Sequence, residues 1–368
     1  MPFTNAFPIA LILSFALTPL AIRLAWAVGF LDHPEARKLH LSATALLGGA
    51  GVFTAACAAS LIVMLAPGAA HPGKVVWLLG GGLIAFLVGL WDDRFGMAVS
   101  SKLAGQVLAA STLIVGGLVP DLHLGPILNA TVMVLGMVAL MNAVNFLDNM
   151  NGMVAGLSAI ALGAFAIGSA IRGEPVVAVF QLALAGACVG FMPYNYPKAD
   201  VFLGDAGSLL LGYSLGASAV LAFEGGPQGW GQLGPLIALG YPAFDMIFVV
   251  ITRARDGRKV YLGGRDHTNH RLASVLKCPT KTVPLLWASG AVLSVSGLAV
   301  QSLNQAIPAL LLSALWMALF LKAGTRLSSV PIEAAPMPLL PMKSSEPLVP
   351  VSRGSHATPT RSTSSSVT

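Results

Sequence analysis

Charge is what this chain has least of. Of 368 residues, 21 are Lys or Arg and 15 are Asp or Glu, 10% together, against 55% hydrophobic. A soluble domain carries about 25% charged residues. So few charges cannot solvate a globular surface of this size, which excludes an ordinary water-soluble enzyme and makes lipid the expected solvent. Cysteine is scarce too. Cys57, Cys188 and Cys278 are scattered, and no pair has metal-ligand spacing, which excludes a thiolate zinc site and a disulfide framework. The sequence pI is near 9.4, yet no basic stretch interleaved with aromatics marks a nucleic-acid module, so no nucleic-acid partner is expected. Basic loops facing anionic lipid and phosphate-bearing ligands account for the pI better. The N-terminus lacks a basic n-region, so the first apolar segment is expected to be a retained span.

What the chain does have is apolar length. The mean hydropathy is +0.78, and a span needs about 20 mostly apolar residues. Eleven segments qualify, at roughly 7–27, 43–65, 75–90, 103–118, 127–144, 154–171, 176–192, 206–222, 232–251, 283–300 and 306–321. The expected fold class is therefore an all-α polytopic integral membrane protein of about eleven helices. Two domains are expected: a membrane domain over 1–325, and a Pro/Ser/Thr-rich tail over 326–368 that cannot bury a core.

Eleven spans divide the loops into two sets. One set holds those around 29–42, 92–102, 145–153, 193–205 and 252–282 together with the tail. Of the 21 Lys and Arg, only Lys74 and Arg172 fall in the other set. The positive-inside rule makes the first set cytoplasmic and leaves the N-terminus outside.

The polar clusters follow the same division. "GFLDHPEARKLH" (29–40), "WDDRFGMAVSSK" (91–102), "NAVNFLDNMNGM" (142–153), "YNYPKADVFLGDAGS" (194–208) and "GGRDHTNHRL" (263–272) all fall on the cytoplasmic side. A transporter needs ionisable groups near the bilayer midplane, and the span interiors hold almost none. Asp92 and Asp93 end a span, where carboxylates oppose the helix dipole; a solvated helix end is the plain reading, a metal or proton to bind the sharper one. Asp205 could cap the next helix or face a ligand across Gly204 and Gly207. Asn142, Asn145 and Asp148 make one polar stripe if their helix continues; an Asn-rich turn is the alternative. His267 and His270, flanked by Arg265 and Arg271, would share a helix face and suit a diphosphate. Together these groups suit Mg²⁺ and a nucleoside diphosphate.

The order "WDD", "NAVNFLDNMNG", "FLGDAGS" and "RDHTNHRL" resembles the polyprenyl-phosphate N-acetylhexosamine-1-phosphate transferases (glycosyltransferase family 4). It resembles the undecaprenyl-phosphate GlcNAc-1-phosphate transferase branch, toward which "RKLH" near residue 37 also leans, more than phospho-MurNAc-pentapeptide translocase. The resemblance implies transfer of a sugar 1-phosphate from a UDP-sugar to polyprenyl phosphate. UMP is released, Mg²⁺ (or Mn²⁺ in its place) is required, and the site lies at the cytoplasmic face of the bacterial inner membrane. Homodimers are common in the family. The resemblance further assigns Asp205 and Asp148 to the metal. Asp92 and Asp93 form the acidic pair, with Asp93 favoured as the group that deprotonates or orients the lipid phosphate, and Lys102 holds that phosphate. Asn145, Asn151, Asn195 and Phe202 line the nucleotide wall. His267, His270, Arg265 and Arg271 meet the sugar diphosphate. Direct attack of the lipid phosphate is the expected route, an aspartyl-phosphate the alternative. The chain departs from the family pattern where Asn149 stands for Gly, Asn151 for Asp, Asn269 for a His and Gly264 for an Asp. The remaining alternatives are a transporter and a non-catalytic lipid-binding protein.

Overall fold

The computed structural model describes residues 2–33, 43–66, 73–224, 229–261 and 264–331. "RKLH" and most of the 326–368 tail lie outside them. The described residues form a helical bundle: α1 (Ala6–Val28), α2 (Gly48–Met64), α3 (Gly73–Phe95), α4 (Val99–Val115), α5 (Pro126–Leu147), α6 (Met153–Ile171), α7 (Pro175–Asn195), α8 (Gly204–Glu224), α9 (Leu233–Ala238), α10 (Gly240–Arg255), α11 (Thr268–Leu276), α12 (Pro279–Leu303) and α13 (Ala306–Ser328). Each of the eleven apolar segments coincides with helix. Eight of the helices are long and apolar enough to cross a membrane, and nine spans result if the α9–α10 pair counts as one.

Three of the eleven segments fall short of that length and straightness for two physical reasons. Helices α2 and α4 have 17 residues each, about 25 Å of rise against a hydrocarbon core of about 30 Å. The segment at 232–251 is not one rod. It bends by 67° between α9 and α10, where Pro242 has no N–H for the carbonyl four residues before it. The fold is also not purely helical. Leu31–Asp32 (β1) pairs antiparallel with Thr44–Ala45 (β2). Ala45 then bridges Val201, and Phe202 N donates to Ala45 O at 2.8 Å.

Helix α8 is the axis of the bundle. Its most apolar window is 94% buried, and it packs against α3, α5, α2 and α6. Its Gly, Ser and Ala residues let neighbouring backbones approach closely, as membrane interfaces require. A Cβ on Gly89 of α3 would lie 2.2 Å from Asp205 O, and one on Gly49 of α2 would lie 2.4 Å from Gly207 N. Those two contacts set where the start of α8 sits. At the rim, the corresponding window of α13 is only 6% buried.

The bundle has two chemically different ends. Helix α3 starts beside Lys74 and finishes with Asp92 and Asp93, about 27 Å further along by helix rise. At the Lys74 end, its ammonium lies 3.3 Å from Glu174 and 3.7 Å from Glu224. At the other end the polar motifs converge. Replacing Gly89 by Ala is expected to force α3 and α8 apart at Asp205, at a cost of about 1–3 kcal/mol. Thermal unfolding in detergent should show a lower midpoint for Gly89→Ala and no comparable change for Gly80→Ala, where a Cβ meets nothing within 4 Å.

Candidate active site

The last turn of α3 lies against the first turn of α8. Asp93 accepts from the backbone N–H groups of Asp205 (2.9 Å) and Ala206 (3.0 Å). A carboxylate that opposes the dipole of its own helix thereby caps another one. Gly204 has φ +72°, and a Cβ there would lie 2.6 Å from Asp93 Oδ2, so this joint needs glycine. With its amide capped from outside, Asp205 is not the cap. Its carboxylate pairs with Lys102 Nζ and accepts from Asn145 Nδ2 at 2.8 Å. Lys102 Nζ also lies 2.7 Å from Asp92 Oδ2 and 3.4 Å from Asn145 Oδ1. Asn145 further donates to Ser208 Oγ at 2.8 Å. One turn earlier, Asn142 and Gln106 exchange hydrogen bonds of 2.7 and 3.3 Å, fastening α4 to α5. Helix α5 does continue to Leu147, so the Asn142–Asn145 stripe is helical and Asp148 terminates it.

Burial, and then the negative charge of Asp205, push the Asp148 carboxyl up to about 8. A carboxyl under that pressure holds a proton or meets a cation. Among the described residues, no three carboxylate, imidazole or thiol groups converge as a closed metal site requires. Mg²⁺ asks for less: one or two carboxylates, substrate phosphate oxygens and water. Asp148 and Asp205 fit that donor set, with hard oxygens and negative charge that Lys102 alone does not balance.

The second half of the site is the loop before α11. Asp266 is fully buried. Arg253 grips it through two bonds of 2.8 and 2.7 Å, and Arg258 adds a third at 2.8 Å. Burial pushes the Asp266 carboxyl up, but the Arg253 guanidinium outweighs it and holds the group well below its usual range. His267 Nδ1 lies 2.7 Å from Asp245 Oδ2, while Asp245 Oδ1 accepts from Thr268 N (2.8 Å) and Thr268 Oγ1 (2.6 Å). This carboxylate fixes the orientation of the His267 ring, with Nδ1 as the nitrogen that donates to it. Burial, with His267 and Arg265 beside it, pulls His270 down to about 4, so its ring is neutral at pH 7. The His267 ring lies 6.2 Å from those of Phe146 and of His270, and Asn269 Nδ2 donates to Asn149 Oδ1 at 2.7 Å. The imidazole loop therefore closes onto the end of α5.

Three expected ligand residues are engaged elsewhere. Arg271 donates to the carbonyls of Asp266 (3.1 Å), Leu327 (3.1 Å), Ser328 (3.3 Å) and Val330 (2.7 Å), and its guanidinium lies over Phe248. It fastens the end of α13 to the loop rather than offering its fork to a phosphate. Both ends of the Asn195 amide are occupied, accepting from Gly152 N at 2.6 Å and donating to Val201 O at 2.8 Å. Asn151 Nδ2 donates to Pro197 O at 3.1 Å. Asn151 and Asn195 join the two walls that carry "NAVNFLDNMNG" and "FLGDAGS". Phe202 is half-buried on the second wall, and Arg265 is half-buried beside His270.

Asp245 escaped the sequence reading because it sits inside an apolar segment taken as plain span. A signal existed: it is the one carboxylate in 232–251, and an ionisable group inside a span marks function by default. Asp266 and Arg253 stood in view as a loop acid and a loop base. Their pairing spans 13 residues, and no local pattern reveals it.

Comparison with known proteins places the chain in a family. Residues 75–223 match glycosyl transferase family 4. A phospho-N-acetylmuramoyl-pentapeptide-transferase of Desulforudis audaxviator is 32% identical, covering 80% of this chain and 95% of that protein. A decaprenyl-phosphate N-acetylglucosaminephosphotransferase of Mycolicibacterium smegmatis is 30% identical over 76% of this chain and 77% of its own length. A probable undecaprenyl-phosphate N-acetylglucosaminyl 1-phosphate transferase of Bacillus subtilis is 27% identical over 86% and 87%. The chain belongs to glycosyl transferase family 4.

Two outcomes follow from the imidazole loop. Asp245→Asn leaves either His267 Nδ1–H or Thr268 without its acceptor. Turnover should fall by at least about tenfold, while donor KM changes little. His270 binds a proton in the unfolded chain below about 6.5 but in the folded chain only near 4. The unfolded state thus holds more protons between these values, and stability is lost as pH falls through that window. The unfolding midpoint should decline from pH 6.5 to 4 in the native chain, and less steeply in His270→Gln.

Proposed function

We propose that the chain transfers a sugar 1-phosphate, GlcNAc-1-phosphate first, from a UDP-sugar to polyprenyl phosphate, releasing UMP. It would do so at the cytoplasmic face of a bacterial inner membrane, as the initiating step of a cell-envelope polysaccharide. One observation carries the reading: carboxylates gathered around Lys102 face a paired imidazole loop at one end of a membrane bundle, in a chain of this family. The printed names of the Bacillus and Mycolicibacterium relatives support the GlcNAc donor and the polyprenyl acceptor. The strong bias of Lys and Arg toward the site end supports the cytoplasmic orientation and the external N-terminus. Eleven crossings and a homodimer, both implied by the family resemblance, belong to the same reading.

The chemistry brings two anions together. An oxygen of the lipid phosphate attacks the β-phosphorus that carries the sugar. The bond from that phosphorus to the bridging oxygen breaks, and the electron pair leaves with UMP. Lys102, reached by Asp92 and Asn145, is placed to take the acceptor phosphate and offset its charge. Asp93 acts on α8: by capping its first turn it aims Asp205 at the site. Asp148 and Asp205 would hold Mg²⁺, which when bound supplies charge neutralisation on the diphosphate. His270 offers neutral imidazole to the sugar diphosphate, so hydrogen bonding rather than net charge is its contribution, and His267 stands beside it with its ring held by Asp245.

Purified protein in detergent, given undecaprenyl phosphate, Mg²⁺ and UDP-GlcNAc, should release UMP. Asp205→Asn should reduce that release by at least about a hundredfold. UMP formed only with UDP-MurNAc-pentapeptide would assign the peptidoglycan donor, as the name of the Desulforudis relative allows. Release unaffected by Asp205→Asn would remove the proposed site.

A further inference from the structure

The two halves of the site ride on different elements. Lys102, Asp92, Asn145 and Asp205 belong to α3, α4, α5 and α8, whereas His267 and His270 belong to the loop and first turn of α11. Their mutual placement must be fixed by something that crosses between them. One side-chain hydrogen bond does so at the mouth of the site: Asn269 Nδ2 to Asn149 Oδ1, 2.7 Å.

Both amides are aimed before they meet. Asn149 Nδ2 donates to Phe146 O at 2.7 Å, tying its amide nitrogen to the last turn of α5. Asn269 Oδ1 accepts from His270 N at 2.8 Å, tying its carbonyl end to α11. The atoms left over are an acceptor on Asn149 and a donor on Asn269, so the bridge has one polarity. Asn269 is fully buried, and a buried donor without its acceptor is costly. Asn149 follows Asp148 directly, and Asn269 lies between the two imidazoles. The bridge therefore joins a carboxylate proposed for the metal to the residues proposed for the sugar diphosphate, and it adds no charge to either.

We propose that the Asn149–Asn269 pair is a positioning clamp, which holds the α11 imidazoles at a set distance from the Asp148–Asp205 carboxylates and so fixes the gap that receives the sugar diphosphate of the donor. This rests on the transferase reading above. The clamp serves the donor rather than the lipid, because the acceptor phosphate is met at Lys102, on α4. Neither Asn touches the reacting atoms; both act through His270 and Asp148.

The test is a double-mutant cycle of Asn149→Ala, Asn269→Ala and the pair, with thermal unfolding, kcat and both KM values measured for each. Each single variant should raise KM for UDP-GlcNAc by about fivefold, with a smaller change in kcat and little change in KM for undecaprenyl phosphate. The double variant should be no worse than the poorer single one. If Asn269→Ala does not fold, Asn269→Thr, close in volume and too short to reach Asn149, takes its place in the cycle. Unchanged donor KM, effects that multiply in the double variant, or an equal rise in lipid KM would each overturn the clamp. Wild-type protein that turns over no UDP-sugar would instead overturn the transferase reading on which it rests.

Discussion

Everything at the site end depends on one act of charge pairing. Lys102 reaches Asp92 and Asp205 at once, while the second acid of the pair, Asp93, is satisfied by the first amides of α8. Acids this close, at the edge of a lipid-solvated bundle, repel one another and lose hydration. They persist because each has a partner: one shared ammonium for two of them, a helix N-terminus for the third. Asp148 has the least compensation, and its raised pKa is the consequence. The site is thus left short of positive charge at the place where a cation and a diphosphate would arrive together.

That pairing in turn needs particular backbones to touch. Asp93 reaches the amides of Asp205 and Ala206 because Gly204 leaves room for its carboxylate and Gly89 lets α3 lie against the carbonyl of Asp205. The small residues of α8 extend the contact to α2 at Gly49 and Gly207. Packing and chemistry are therefore not separate here. Helix α8 is the most buried span because its small residues let neighbouring backbones close on it, and Asp205 is well aimed because its helix is so enclosed.

Much of this was legible in the sequence, for a physical reason. Lipid imposes a severe composition, so the helices announce themselves, and most of the polar motifs left gather at one end of the bundle. "WDD", "NAVNFLD" and "FLGDAGS" come together as their order implied. Interactions across long sequence distances stayed hidden. Nothing near Arg271 says that it binds the end of α13 more than 50 residues away, and an isolated arginine among histidines reads as a phosphate ligand. Asn195 reads as a base-binding amide until both of its ends are found occupied. Asp245 vanished into hydrophobic surroundings, and the bend that brings it beneath His267 follows from Pro242 only in hindsight. Hydropathy marked the apolar segments at α2 and α4 but not that each forms a helix of only 17 residues.

The two Asn residues that depart from the family pattern at 149 and 269 looked like independent losses in the sequence. The structure makes them one unit, since each supplies what the other lacks. A glycine at 149 would offer no acceptor, and Asn269 would then be a buried donor facing none. Departures that answer each other preserve a function more readily than departures that merely remove groups, because the geometry they leave is satisfied rather than depleted. Asn151, whose amide joins the wall at Pro197, fits the same pattern: a lost carboxylate has become a structural tie. The carboxylates that remain keep distinct partners, Asp92 and Asp205 on Lys102 and Asp93 on the first amides of α8, while Asp148 feels the charge of Asp205, so the site end retains its acids in a satisfied arrangement.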